Sequence, residues 1–118
     1  MTPSRKMTPS AIKLHRRSQV LELVFGERSF ELNAEYLRVF SPSAEVRGHG
    51  KGQEILQINK QDAQILGIEP QGNYAIRITF ADGHNSGIYT WDYLYQLGEH
   101  YTSNWDGYLL KVAQHTKS

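Results

Sequence analysis

The chain contains Ser, His and Asp, residue types that often act in catalysis or metal binding. They do not occur at the spacings of known catalytic or metal-binding motifs. No two histidines stand in an H-x-x-x-H arrangement, and the serines occur in no G-x-S-x-G motif. Asp82 and His84 form a D-x-H pair, which supplies at most two metal ligands. The sequence therefore predicts a protein with no catalytic constellation and no bound cofactor. The five histidines are His15, His49, His84, His100 and His115.

The composition excludes further kinds of site. The 118 residues include no cysteine, which excludes disulfides, thiolate zinc clusters and a cysteine nucleophile. With 39% hydrophobic and 21% charged residues, the chain has the profile of one small globular domain. No apolar run reaches the roughly 18 residues of a membrane span, and the first residues do not resemble a secretory signal. We expect a cytoplasmic protein.

Basic residues are concentrated at the start of the chain. Removing the five that lie within residues 1–17, where there is no acid, leaves 8 basic against 12 acidic residues, a net charge of −4. We predict a flexible basic tail over 1–18, a domain over 19–114 and a short tail over 115–118. Nucleic acid could then bind only through the basic tail, because the body repels polyanions. The five residues are Arg5, Lys6, Lys13, Arg16 and Arg17.

A second basic segment interleaves three glycines with charged residues, at Gly48, Gly50 and Gly52. Backbone amides of such a segment can cradle an anion. The P-loop pattern G-x-x-x-x-G-K-[ST] is absent, however, and a surface loop is the favoured interpretation.

Alternation of apolar and polar residues predicts the strands that must position these groups. Residues 62–72 are predicted to be mainly loop, because Gly67, Pro70 and Gly72 interrupt the pattern. Asp82-Gly83 supplies a turn. The predicted strands are a hairpin over 19–32 and single strands over 54–58, 74–80 and 86–90.

Three helices are predicted, each from a capping residue. Asn33 and Thr90 can accept hydrogen bonds from the first turn of the helices that follow them, and the second helix should end at Gly98. Ser103 and Asp106 resemble a capping box that begins the third helix. Together these elements predict an α+β fold, an antiparallel sheet packed with two or three short helices.

Aromatic residues are dense where the last predicted strand becomes a helix, over residues 89–95. The alternation changes phase at that junction, so one or two rings should be left at the surface beside His84. We predict a partner-binding patch there. Its members are Arg38, His84, Tyr89 and Trp91.

Two blocks resemble the gamma-butyrobetaine hydroxylase-like N-terminal domain family, L-R-x-x-S-P-S-A at residues 37–44 and D-G-H-x-x-G-I-Y-x-W at residues 82–91. The resemblance extends over roughly residues 19–113. It implies a small stand-alone bacterial member of a family without an established activity. Related domains are fused to oxygenases and to a P-loop iron–sulfur carrier, which implies an accessory or interaction role.

In the oxygenases that this chain resembles, the domain holds a structural zinc with three cysteines and one histidine. By that resemblance the cysteine positions fall here on Ser41, Ser43 and Val46, and only His84 is kept. Serine hydroxyls are poor zinc ligands and valine is none, so the zinc site is predicted to be lost.

Two functional hypotheses follow. The leading one is a non-enzymatic module that docks on another protein, in iron–sulfur or redox-enzyme maturation, through the predicted patch. The alternative is a small-molecule or weak metal-binding protein that uses the turn carrying Asp82 and His84.

Overall fold

In the part of the chain that the structure describes, two three-stranded antiparallel sheets pack with three helices, which confirms the predicted α+β class. The computed structural model describes residues 8–42, 60, 62–83 and 85–117. The predicted loop over 48–52 and strand over 54–58 lie outside these residues. The strands are β1 (Ala11–His15), β2 (Val20–Phe25), β3 (Arg28–Asn33), β4 (Ile65–Gln71), β5 (Ala75–Phe80) and β6 (Asn85–Thr90); the helices are α1 (Ala34–Val39), α2 (Trp91–Glu99) and α3 (Tyr101–Lys117).

The N-terminal sheet has the order β1-β2-β3 and contains the hairpin that the alternation predicted. Leu21 and Leu23 of β2 are fully buried, whereas Val20, Glu22 and Val24, which alternate with them, are only partly buried. Phe25 pairs with Arg28 across a two-residue turn, in which Gly26 has a φ of +61°. Glycine adopts this conformation without a Cβ clash, so the turn closes tightly.

Strand β1 corrects the predicted domain boundary, because it lies inside the segment predicted to be a tail. It pairs with β2 from Ala11–Val24 to His15–Val20, and its Ile12 packs against the core. An edge strand buries only every second residue, and the residues between the buried ones can be charged. The basic residues next to the apolar ones therefore gave this segment the composition of a solvated tail. At the other end, α3 continues to Lys117 through residues predicted to be a tail. Residues 1–7 lie outside the described part.

The C-terminal sheet has the order β4-β5-β6. Strand β5 and the Asp82-Gly83 turn occur as predicted, and Gly83 has a φ of +81°. The prediction of a loop at residues 62–72 was wrong, since β4 pairs with β5 along its length. Among the described strands, β4 pairs only with β5, so Pro70 can lie in it without breaking hydrogen bonds to a second neighbouring strand.

Capping residues set the starts of the first two helices as predicted. The Asn33 side chain accepts a hydrogen bond from the Tyr36 amide at 2.8 Å, and the Thr90 hydroxyl accepts one from the Tyr93 amide at 3.2 Å. Each bond satisfies an amide that the first helical turn leaves without a backbone partner.

The other helix boundaries differ from the predictions. Helix α2 ends at Glu99, one residue beyond Gly98. The prediction that Ser103 caps the third helix was wrong, since α3 begins at Tyr101 and the Ser103 hydroxyl donates to the His100 carbonyl at 3.2 Å. No described helix is both long and apolar enough to cross a membrane.

Tyr36 of α1 connects this helix to α2 and α3. Its hydroxyl donates to the Leu97 carbonyl of α2 at 2.6 Å and accepts from the Asn104 amide group of α3 at 3.0 Å. Its ring packs edge-on against that of Tyr101, with the centroids 4.6 Å apart. Burial raises the pKa of Tyr36 to about 12, because the phenolate would lose its hydration.

We expect the free energy of unfolding to fall as pH rises from about 10 toward 12, because the native state holds the Tyr36 proton more tightly than the unfolded chain does. The stabilisation is complete below the unfolded pKa and is lost as pH rises through the folded pKa. Urea denaturation of the wild type and Tyr36→Phe across this range measures the effect. The difference in stability between them should shrink with pH by up to about 1.4 kcal/mol per unit. A constant difference would contradict the assignment.

Candidate functional site

The predicted patch residues lie at opposite ends of the C-terminal sheet. Arg38 contacts Asp82, beyond the end of β5, whereas Trp91 follows the end of β6 that pairs with the start of β5. From Ala75 to Phe80, β5 spans five steps of about 3.3 Å, or about 17 Å. The described members of the patch are therefore not one surface. His84 lies outside the described residues.

Arg38 is a buried charge rather than a contact residue. It lies in the last turn of α1 and is only 5% exposed. Its Nε donates to Asp82 Oδ2 at 3.0 Å, and the Asp82 side chain is 42% exposed. A buried guanidinium requires such partners, so this ion pair attaches α1 to the β5–β6 turn. The prediction of Arg38 as a partner contact is corrected accordingly.

Tyr89 is also part of the interior. It is fully buried, and its hydroxyl donates to the Leu37 carbonyl at 2.6 Å. Burial raises the pKa of this phenol, while a hydrogen bond from the buried Ser41 hydroxyl lowers it to a smaller extent. The prediction that Tyr89 contacts a partner was wrong, because a period-two pattern does not show which face of a strand is covered.

The side chain of Ser41, which is buried, does not have the chemistry of a zinc ligand. A neutral hydroxyl stands where the resemblance places a cysteine, and it is bonded to Tyr89. Ser43, Val46 and His84 lie outside the described residues. Within the described ranges, no three His, Cys, Asp or Glu side chains come together as a metal site.

The opposite end of the sheet carries an arrangement that we call the aromatic corner, formed by Gly72, Asn73, Tyr74 and Trp91. The Trp91 indole Nε1 donates to the Asn73 carbonyl at 2.8 Å, and the Trp91 amide donates to the Tyr74 carbonyl at 3.0 Å. These bonds attach the β4–β5 turn to the start of α2. The Trp91 side chain is only partly buried there.

Tyr74 is the most exposed ring of the corner, at 53%. Gly72 has a φ of +54°, and a Cβ at that position would lie 3.2 Å from the Tyr74 ring. The absence of a side chain at Gly72 therefore lets the ring lie across the turn. An exposed, oriented tyrosine beside a tryptophan is typical of protein contact surfaces.

Trp91 is one of the predicted patch residues, whereas Tyr74 is not. The predicted strand over 74–80 includes Tyr74, two and four positions before the apolar Ile76 and Ile78. The strand begins at Ala75 instead, and Tyr74 belongs to the preceding turn. The Gly72-Asn73 dipeptide was the available signal, since this pair favours turns.

A family model described as gamma-butyrobetaine hydroxylase-like, N-terminal, matches residues 12–95. This protein belongs to that family. The match includes β1, in agreement with the corrected boundary, and it ends within α2. No curated protein matches the chain.

Solved structures of similar proteins have the same fold as this chain. Two proteins with NMR solution structures are 48% and 41% identical, with TM-scores of 0.82 and 0.81. The first alignment covers 93% of this chain and 87% of the relative, and the second covers 100% and 89%. A DUF971-family protein of unknown function from Acidithiobacillus ferrooxidans has a crystal structure with 32% identity, a TM-score of 0.65, and coverage of 82% and 98%.

Proposed function

We propose that this protein is a non-enzymatic interaction module that docks on a partner protein through the aromatic corner. The orientation of Tyr74 carries the proposal. Its ring is half exposed, yet the turn that presents it is fixed by both hydrogen bonds of Trp91. A backbone turn that is already held in place loses little conformational entropy on binding, so less of the energy gained by burying Tyr74 is lost to ordering the chain.

The partner that we propose is a cytoplasmic iron–sulfur or redox enzyme. Support comes from the family, since related domains are fused to oxygenases and to an iron–sulfur carrier. A stand-alone domain can be held beside an enzyme by docking, as a fused domain is held beside it by covalent linkage.

The alternative function, small-molecule or weak metal binding by Asp82 and His84, has less support. The Asp82 carboxylate already accepts a hydrogen bond from Arg38, whose positive charge lies 3.0 Å away and opposes a cation at the same oxygen. No second observation among the described residues favours this function.

Tyr74→Ala is expected to reduce recovery of the partner about tenfold, the effect of truncating a central aromatic contact. The tagged wild type and variant are compared by affinity capture from native lysate and quantitative mass spectrometry. The matched control is Leu110→Ala, which truncates another exposed apolar side chain, on α3. Circular dichroism verifies that each variant is folded.

Recovery of an iron–sulfur or redox enzyme with the wild type and Leu110→Ala, but not with Tyr74→Ala, supports the proposal. Equal recovery with all three proteins would remove the aromatic corner from the interface. Recovery of no redox protein would contradict the partner class.

A further inference from the structure

A β-bulge in β4 directs Leu66 out of the sheet. Ile65 pairs with Phe80 and Gly67 pairs with Thr79, so Leu66 is the additional residue opposite one step of β5. Bulges commonly re-aim a side chain in this way. Leu66 is 54% exposed, whereas its neighbour Ile65 is buried in the core.

The same bulge holds an arginine beside this leucine. Arg16, in the turn between β1 and β2, donates from Nη1 to the Leu66 carbonyl at 2.9 Å. The bond connects the two sheets and fixes the guanidinium next to the exposed leucine. A carbonyl carries no net charge, so the arginine keeps its full attraction for an anion.

Arg17 adds a second exposed positive charge to this turn. In the described part of the chain, the ion pairs are His15–Glu22, Arg28–Glu99 and Arg38–Asp82, and none of them neutralises Arg16 or Arg17. Lys13 differs from these two arginines, because it lies opposite the acidic Glu22 in the register of β1 and β2. The turn is thus a local positive surface on a body whose other residues are net acidic.

We propose that Arg16, Arg17 and Leu66 form a second docking surface, for a protein segment that carries carboxylates next to an apolar side chain. Guanidinium groups bind carboxylates with paired hydrogen bonds, and Leu66 offers the apolar contact. Nucleic acid has no counterpart for the leucine and is repelled by the acidic body. Leu66 lies near the end of β4 that pairs with Phe80 of β5, whereas Tyr74 lies beyond the opposite end of β4. This surface is therefore independent of the aromatic corner.

An NMR titration of the ¹⁵N-labelled protein tests this proposal. The probe is a synthetic peptide of glutamate, aspartate and leucine, compared with the same peptide with alanine in place of leucine and with a short DNA duplex. We expect saturable shifts of the Arg16, Arg17 and Leu66 amides with the leucine peptide. Arg17→Ala should weaken binding about tenfold, and Tyr74→Ala should leave it unchanged.

Three results would overturn the proposal. The first is the absence of a saturable shift at these amides, the second is equal affinity for the alanine peptide, and the third is tighter binding of the DNA duplex at the same residues. Arg17 makes no described contact with the core, so Arg17→Ala separates loss of binding from loss of folding. The spectrum of each variant verifies its fold, and the behaviour of Tyr74→Ala distinguishes this surface from the aromatic corner.

Discussion

Gly98→Ala is expected to destabilise the protein by about 1–3 kcal/mol, although alanine is the better helix former. Helix α2 crosses β3 so closely at Gly98 that a Cβ would lie 2.6 Å from Cδ1 of Phe30 and 2.7 Å from its Cδ2. The Phe30 ring has little freedom to move away, because Tyr95 packs edge-on against it with centroids 5.3 Å apart. Urea denaturation followed by circular dichroism measures the loss.

Gly107→Ala is the matched control for this prediction. Gly107 also lies in a helix, but a Cβ there would meet nothing within 4 Å. The substitution should therefore stabilise the protein by up to about 1 kcal/mol, the ordinary helix-propensity gain. Opposite signs at the two glycines are the expected result, and the same sign at both would refute the close packing of Phe30. Adding Phe30→Leu should relieve part of the Gly98→Ala penalty, since the two positions are in contact.

The elements that local chemistry determines were predictable from the sequence. The β2–β3 hairpin requires only alternation and Gly26, and the caps of α1 and α2 require only Asn33 and Thr90 in front of apolar periodicity. These signals act between residues a few positions apart, so no knowledge of the tertiary structure is needed.

The elements that depend on distant partners were not predictable. Strand β4 contains Gly67 and Pro70, which argue against a strand, and it forms because β5 supplies a partner along one edge. Gly98 is similar. Its position in the sequence suggested a helix end, whereas in the structure the close approach of Phe30 in β3 leaves no room for a side chain there. In both cases tertiary packing overrides local propensity.

The candidate site was only partly predictable for a related reason. Trp91 was correctly selected as a residue of the strand-to-helix junction, but Tyr89, two positions earlier, lies in the core. The sequence predicts the change from strand to helix at Thr90, but it does not show that the side of β6 carrying Tyr89 lies against α1, where its hydroxyl contacts the Leu37 carbonyl. Tyr74 joins Trp91 through pairing of β5 with β6, a contact across 17 positions that a single sequence does not reveal.

Tyr89→Phe is expected to cost about 1–3 kcal/mol, because it leaves the buried Leu37 carbonyl without its donor. Leu37 lies in the last turn of α1, whose terminal carbonyls have no partner further along the helix. Tyr93→Phe is the matched control, since its hydroxyl donates to the Phe40 carbonyl at 2.7 Å in a less buried place.

Urea denaturation of both variants compares the two hydrogen bonds. A larger loss for Tyr89→Phe than for Tyr93→Phe is expected, because water can replace the donor only where it reaches the carbonyl. Ser41→Ala should add little to Tyr89→Phe, since the phenol that Ser41 contacts is already gone. Full additivity of the two substitutions would contradict this network. The expected coupling would mean that hydrogen bonds to the tyrosine hydroxyl hold the end of α1 at the position where the family resemblance places a zinc ligand.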